Sequence, residues 1–350
     1  MEALKVAVVG ASGYSGEELI RLLLGHPGAH ISCVTSRQHA GRKLTEVFPR
    51  FAHYPRAESV VFSESSVEAV VNSGSQAVFL ALPHGLAAEF ARPLLAAGLC
   101  VLDLSADFRL RDPLIYKEFY GTDHPAQELL SCAVYGLPEL HREKIKDAKL
   151  IACPGCYPTS ILVPLHPLLK AKLLDPASIR VSSASGVSGA GRKAETPYLF
   201  AECNESFRAY GVPKHRHLSE IEQELSDAAG NPVRIAFIPH LTPLTRGIHT
   251  TMFAMPAPGV SPERVAEAYA ASYAGEPFIR VLQPPSLPDT KMVTGTNFVD
   301  LSWRHDPRTG ALILFSAEDN LTKGAAGQGI QCLNIISGWP ETLGLLPGTC

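Results

Sequence analysis

The motif Cys153-Pro-Gly-Cys156-Tyr-Pro-Thr-Ser160 puts two thiols three residues apart. It follows a short apolar run, Ala148 to Ala152, and opens a helical apolar pattern from Ile161 to Leu173. Four uses compete for it. A CxxC pair can cycle as a dithiol. It can be half of a structural zinc site, but the sequence has no second CxxC and such a site needs four ligands. One cysteine can be a nucleophile at a helix N-terminus, where the dipole favours thiolate. Or both thiols are simply buried, as free cysteines often are. Dithiol sites of the thioredoxin kind belong near the start of a small fold. This motif lies mid-chain, at the expected junction of two domains, where ligand clefts form. The nucleophile reading follows from that position: a thiolate facing a nicotinamide can carry a thioester or thiohemiacetal through hydride transfer.

A second cluster, Gly10-Ala-Ser-Gly13-Tyr-Ser-Gly16, has GxxGxxG spacing, a variant of the dinucleotide fingerprint. Gly10 allows a tight turn, Gly13 a close approach of backbone amides to a pyrophosphate, and Gly16 close packing of helix on strand. The helix dipole then holds the anion. A plain glycine-rich turn is the alternative. A strand before and a helix after favour cofactor binding, with Ser12, Tyr14 and Ser15 in the same loop. The next strand ends in Ser36-Arg37, with no carboxylate before Glu46 to take a ribose hydroxyl. A hydroxyl beside a guanidinium suits a 2′-phosphate, which predicts NADP; otherwise Arg37 is a solvated loop arginine.

The third cluster is His215-Arg-His217. Ser219 and Glu222 read as a capping box, which puts both histidines just before a helix whose positive end favours neutral imidazole. HxH also suits a metal, but no carboxylate or thiol pair lies nearby in sequence, so none is assigned. Taken alone, these are ordinary surface histidines.

Elements must position these groups. Leu4 to Gly10 reads as a buried strand, then a helix with a Ser15/Glu18 capping box, stopped by Gly25 and Pro27. Segments 30–36, 76–83, 99–107 and 148–155 read as further buried strands, with a helix over 85–97. Strand, helix, strand in this order implies a Rossmann-type doubly wound parallel sheet. After about residue 175 the runs SIRVSSASGVSG, VRIAFIPHL, IHTTMFAMP, PFIRVL, NFVDLSWRH and ALILFSAED follow with few long helices between them. Several alternate, which predicts an α+β domain on a mostly antiparallel sheet. The expected domains are 1–150 and 151–324, with a last helix in 325–350 returning to the first. Gln283 to Asp289 reads as an ordered loop or flap.

The 350 residues suit about two domains. Apolar types make up 46% and charged residues 19%, enough to bury a core. With 31 basic and 34 acidic residues the formal net charge is −3, which gives no electrostatic case for nucleic acid or an anionic membrane. No apolar run approaches the ~20 residues of a membrane span. Eight scattered cysteines, and an N-terminus that runs straight into a strand, predict a reducing cytoplasm.

The segments GASGYSGEELIRLL, ALPHG, DLSADFRL, YGLPEL, CPGCYPTS, HRHLSEIEQ, PHLTPLTRGI and DNLTKGAAGQGIQ run in order across essentially the whole chain. Together they resemble the N-acetyl-γ-glutamyl-phosphate reductases, the arginine-pathway branch of the semialdehyde dehydrogenases. The resemblance implies NADPH-dependent reduction of an acyl phosphate to a semialdehyde by way of a cysteine thioester. It aligns Cys156 with the nucleophile and leaves Cys153 without a role. It implies that the base lies in the HRH motif, His217 first and His215 second, with His240 of IPHL third. The implied substrate carries phosphate and carboxylate, for which Arg109, and then Arg192 with Ser185 and Gly186, are candidates. Pro83, His84 and Gly85, and Asn320, Lys323 and Gly324, become candidate cofactor contacts. A homodimer or homotetramer is implied. Two functional alternatives remain: an aspartate-semialdehyde dehydrogenase, and a non-catalytic NADP-binding regulator. Serines at Ser12 and Ser15, and Leu218-Ser219, depart from the family's usual residues but keep hydroxyls.

Overall fold

Along the first strand, β1 (Leu4–Val9), the side chains alternate between two apolar clusters. Val6 and Val8 enter one, Ala7 and Val9 the other. A strand buried on both faces belongs inside a parallel sheet with helices on each side. The computed structural model, which describes residues 3–346, has that sheet. Its other strands are β2 (Ala29–Thr35), β3 (Phe62–Ser63), β4 (Ala77–Leu80), β5 (Cys100–Asp103), β6 (Ala133–Tyr135) and β7 (Leu150–Ala152). They lie in the order β3-β2-β1-β4-β5-β7-β6, and every pair is parallel. The order turns back at β1, so the C-terminal ends of β1 and β4 make the switch point where such sheets bind ligands.

The helix Tyr14–Leu24 starts from Gly13 without a side-chain cap. The expected Ser15/Glu18 box is therefore absent. The turn at Gly10 already aims the chain into the helix, so Ser15 falls inside the first turn, and Glu18 pairs with Arg21 at 2.7 Å. The helix Gly327–Ile336 is buried from Gly327 to Ile335 and packs with Tyr14–Leu24, β5 and the helix Pro138–Ile145. His26 fixes the chain beyond it. Its Nδ1 accepts the Gly28 and Ala29 amides, and its Nε2 lies 3.0 Å from Asn334 Oδ1.

By contacts the chain divides into two units: residues up to Lys117, Thr122–Pro154 and from Ala325 on, against Glu118–Gly121 with Gly155–Gly324. The second unit carries β8 (Arg180–Gly186), β9 (Arg208–Ala209), β10 (Ala236–Thr242), β11 (Ile248–Ala254), β12 (Ile279–Val281), β13 (Val299–His305) and β14 (Leu312–Glu318). The order is β12-β13-β14-β11-β8-β10-β9. The β8/β10 and β12/β13 pairs are parallel and the others antiparallel. The parallel β8/β10 pair needs a crossover, and the 13-residue helix His217–Ala229 lies within it. A second helix, Pro262–Tyr273, had no signal in the apolar runs because most of its surface is exposed.

One face of this sheet is covered by the helix Cys156–Lys170, buried from Tyr157 to Leu165. That helix contains Pro164 and Pro167, which cannot donate to the carbonyls of Ser160 and Val163. Neighbours replace the missing donors. Ser316 Oγ bonds Ser160 O at 2.6 Å, and the Tyr273 hydroxyl bonds Val163 O. The helix is thereby tied into its own unit at the two points where its internal ladder fails. Among the described residues no helix is long and apolar enough to cross a membrane.

Candidate active site

Cys156 is the first residue of the helix Cys156–Lys170, and Gly155 caps that helix with no side-chain hydrogen bond. A thiol there sits at the positive end of the dipole, the place where a thiolate is favoured. Cys153 is fully buried while Cys156 is partly exposed. Burial thus separates the two members of the CxxC pair: of the two, Cys156 is the one open to solvent.

Three neighbours crowd Cys156 and the glycine before it. A Cβ on Gly155 would stand 2.5 Å from His217 Nε2, so the imidazole lies directly on the peptide before Cys156. A Cβ on Gly324 would stand 2.7 Å from Cys156 Cβ and 2.9 Å from Glu318 Oε1. The π-helical turn Thr322–Ala326 therefore presses against Cys156 with its one residue that lacks a side chain. Glu220, buried, accepts the Gly155 amide with Oε2 at 3.2 Å and fixes the turn from the third side.

The three histidine candidates separate clearly. His217 is the first residue of the helix His217–Ala229. The Ser219/Glu222 box does not form, because the helix starts two residues before Ser219. Ser219 Oγ donates back to Arg216 O, and Glu222 accepts from Ile235 N and Arg234. His215 is enclosed by Tyr157, Tyr210 and Phe237, with ring centroids 5.5, 5.5 and 5.8 Å away. Its Nδ1 accepts the His217 amide at 3.2 Å. Burial, and then the Arg216 charge, lower its pKa to about 4. His215 is thus a neutral support beneath His217. His240 stacks on Phe207 at 5.0 Å. Its place on β10 is on the face opposite Phe237, the face away from Tyr157.

In the other unit, Gly10 has φ +80° and a Cβ there would lie 2.4 Å from Ala81 O; one on Gly16 would lie 2.6 Å from Gly10 O. Both glycines are required by the protein itself. Gly13 is different: the nearest atom to its Cβ position would be 3.7 Å away, leaving room for a ligand. Ser36 Oγ donates to Ser12 Oγ at 3.1 Å, joining the end of β2 to the loop, with Arg37 exposed beside it. Tyr14 and Ser15 form the first turn of the uncapped helix. Room at Gly13, an uncapped helix start and a hydroxyl–guanidinium pair fit a dinucleotide with a 2′-phosphate. Pro83 and His84 are exposed at the end of β4, and Gly85 takes φ +85°. Asp107 grips this turn by accepting the Gly85 and Ala88 amides at 2.6 and 3.1 Å. Asp103, buried and facing Asp107, has its carboxyl pushed up to about 7, by burial first and by Asp107 second.

Two families match the chain: "Semialdehyde dehydrogenase, NAD binding domain" over residues 5–148 and "Semialdehyde dehydrogenase, dimerisation domain" over residues 156–320. The chain belongs to the semialdehyde dehydrogenase family. It is 56% identical to an N-acetyl-gamma-glutamyl-phosphate reductase of Akkermansia muciniphila over 99% of both chains. It is 50% identical to one of Citrifermentans bemidjiense over 98% of both. Solved structures share the fold. An aspartate semialdehyde dehydrogenase II of Vibrio cholerae superposes with TM-score 0.73 at 17% identity, over 97% of this chain and 99% of that one. An aspartate semialdehyde dehydrogenase with NADP from Candida albicans gives TM-score 0.71 at 18% identity, over 96% and 99%.

Several expected contacts of this semialdehyde dehydrogenase look different in the structure. Arg109 is only 7% exposed, and it donates to Cys153 O at 2.8 Å and Leu104 O at 2.9 Å. It braces the chain three residues before Cys156. Arg192 is exposed in the loop after Gly191. Asn320, expected on the nicotinamide, donates to Ser188 Oγ at 3.0 Å and accepts the Gly247 amide at 2.7 Å. Lys323 is fully buried, 5.7 Å from the Phe278 ring centroid. Ser185 is buried and donates to Gly186 O, and a Cβ on Gly186 would meet Arg246 N at 2.7 Å. Gly324 stands against Cys156. Glu220, Arg246, Glu318 and Asp319 were missed. Glu220 lies within HRHLSEIEQ and Arg246 within PHLTPLTRGI, so the motifs held the signal, but nothing in their spacing names a partner.

Proposed function

We propose that this chain is an NADPH-dependent N-acetyl-γ-glutamyl-phosphate reductase of arginine biosynthesis. It yields N-acetylglutamate 5-semialdehyde and phosphate. The observation that carries the reading is the placement of Cys156 at an uncapped helix start against His217 and Gly324, in a chain 56% identical to a reductase of that name. His217 takes the thiol proton. Sulfur attacks the acyl carbon, a C–S bond forms, and the C–O bond breaks as phosphate leaves with the electron pair. Glu220 holds the turn and the helix dipole favours the thiolate. NADPH, when bound, supplies the hydride that reduces the thioester. Its binding falls to Gly10, Ser12, Gly13, Tyr14, Ser15, Gly16, Ser36, Arg37 and the Pro83–Gly85 turn. The C–S bond then breaks, His217 returns a proton to sulfur, and the aldehyde departs.

Arg109 acts as a brace of the nucleophile turn, and Asn320 and Lys323 as supports of the loops around it. The half-exposed face of the second sheet, with Ile238 41% and Phe253 46% exposed, is the surface we assign to a second copy in a homodimer or homotetramer. Every described cysteine is a free thiol, in keeping with a reducing cytoplasm.

The test is acyl trapping. Enzyme mixed with N-acetyl-γ-glutamyl phosphate without NADPH should gain one acyl group, located on Cys156 by mass spectrometry. An adduct elsewhere overturns the mechanism. Faster phosphate-dependent NADP reduction with aspartate semialdehyde than with the N-acetylglutamate compound overturns the substrate.

A further inference from the structure

Three neighbouring strands end together at the switch point of the parallel sheet. Ala81 N bonds Val9 O at 2.8 Å and Leu104 N bonds Leu80 O at 2.9 Å, which carries the ladder past the ends of β1, β4 and β5. Beyond β4 the chain turns through Pro83–Gly85, closed by Leu86 N on Pro83 O at 3.3 Å, and enters the helix Ala87–Ala96. Leu86, the N-cap residue of that helix, offers no side-chain hydrogen bond. The first amides of the helix therefore need an acceptor from elsewhere.

Asp107, fully buried in the segment after β5, supplies it. Its Oδ2 accepts the Ala88 amide at 3.1 Å. Its Oδ1 accepts the Gly85 amide at 2.6 Å and the Tyr116 hydroxyl at 3.2 Å. A carboxylate at a helix start is also favoured by the dipole. The backbone of Asp107 is held in turn. Ser105 Oγ accepts the Asp107 amide at 3.1 Å and donates to Asp103 Oδ2 at 2.9 Å, and Asp103 Oδ1 accepts the Ser105 amide at 2.8 Å. His124 Nε2 donates to Asp107 O. The turn is thus set from within, while its outer side is open. Pro83 and His84 are exposed, and a Cβ on Gly85 would meet nothing within 4 Å.

The sheet order says which part of a dinucleotide passes there. The reductase reading gives the 2′-phosphate to Ser36 and Arg37 beyond β2, and the pyrophosphate to the loop after β1. β4 lies on the other side of β1 from β2. A dinucleotide laid across the switch point therefore carries its nicotinamide half over the end of β4.

We propose that Asp107 is a positioning residue for the nicotinamide half of the cofactor, acting through the Pro83–Gly85 turn. The inference rests on the NADPH reading of the site and deepens it. Ser105 and Asp103 are the supports that hold Asp107 in place.

The experiment measures two dissociation constants, for NADPH and for adenosine 2′,5′-bisphosphate, which has the 2′-phosphate but no nicotinamide. The D107N side chain keeps one acceptor oxygen and puts an NH2 group where the other was, so one of the two turn amides faces a donor. The Kd for NADPH should rise roughly tenfold, as a buried amide loses its partner. The Kd for the bisphosphate should stay within about twofold, because its contacts lie apart from the change. General damage to the fold would not separate the two ligands. If D107N weakens both alike, or neither, the assignment is overturned. If D107N does not fold, S105A is read instead. It removes the support of the Asp107 amide, and it should raise the Kd for NADPH alone, by about threefold; equal or absent effects on the two ligands overturn the assignment. Wild type that binds neither ligand brings down the NADPH reading, and this inference with it. Wild type that binds both, with a D107N that does not separate them, brings down this one alone.

Discussion

The loop Gly10–Gly16 and the turn around Cys156 both join a buried strand to a helix start with no side-chain cap, yet they are built differently. At the first, the backbone does the shaping: Gly10 clears Ala81, Gly16 clears Gly10, and Gly13 is left open. At the second, side chains from distant segments converge. His217 packs on Gly155, Glu220 bonds its amide, and Gly324 abuts Cys156 with Glu318 beside it. The difference follows from the task. Binding a pyrophosphate takes free amides and space, which a glycine-rich turn supplies. Activating a thiol takes a base, a fixed attack direction and a controlled field, and these need side chains held by a rigid surround.

If that contrast is right, changes at the two sites fail in different ways. The largest effect is at the nucleophile. Cys156→Ser should lower turnover by roughly 10⁴-fold or more, as loss of a covalent catalyst does. NADPH titration by fluorescence should remain as in wild type. Cys153→Ser should cost less than about tenfold. Equal damage from the two variants would restore the dithiol reading and break the contrast.

Next comes Gly324→Ala. A methyl group 2.7 Å from Cys156 Cβ must displace either the π-helical turn or the nucleophile. Misplacement of about 1 Å costs roughly 10²-fold in kcat. The reading is kcat falling while KM for NADPH holds. If instead KM for NADPH rises with kcat unchanged, Gly324 serves the cofactor and the nucleophile site is less enclosed than we describe.

The glycine loop should respond in stability and cofactor affinity. Gly10→Ala meets both φ +80° and an oxygen at 2.4 Å. It should destabilise by about 2–4 kcal/mol, from backbone strain and overpacking, seen as a lower midpoint in urea. Gly13→Ala has ordinary van der Waals space, so stability should change by less than about 1 kcal/mol, while KM for NADPH rises. Similar stability losses in both variants would remove the argument that Gly13 is kept for a ligand.

The same contrast explains what could be read from the residue order. The glycine loop is local: strand, three spaced glycines and helix follow one another from Leu4 to Leu24, and the parallel sheet around it follows from buried runs that alternate with helices. The place of Cys156 at a helix start is equally local. Its support is not. Glu220 lies 65 residues from Gly155, and Gly324 stands still further from Cys156. Spacing cannot announce such pairs; only the fold brings them together. The two predicted capping boxes failed for a related reason. Ser15 and Ser219 stand in capping patterns, but each helix starts earlier, at Tyr14 and His217. Arg109 and Asn320, which the resemblance makes candidate ligand contacts, bond the protein itself, since a buried polar side chain must find partners wherever the fold leaves them.

The smallest effect concerns pH, and it belongs to the site made of side chains. His215 titrates near 4 when folded, against 6.5 unperturbed, because burial disfavours its charge. Between those values the unfolded chain binds more protons than the folded one, so stability rises with pH across the window and is lost as pH falls from 6.5 toward 4. His215→Asn keeps an acceptor for the His217 amide but cannot titrate. Its melting temperature should therefore drop less than wild type's between pH 7 and pH 5, while the pH dependence of turnover, which we assign to His217, keeps its shape. Parallel melting curves in the two proteins would mean that His215 is not the buried neutral support described here. No such term arises at Gly10, Gly13 or Gly16, which have nothing to titrate. A site shaped by glycine backbone holds its form across pH, whereas one propped on a buried imidazole weakens in acid.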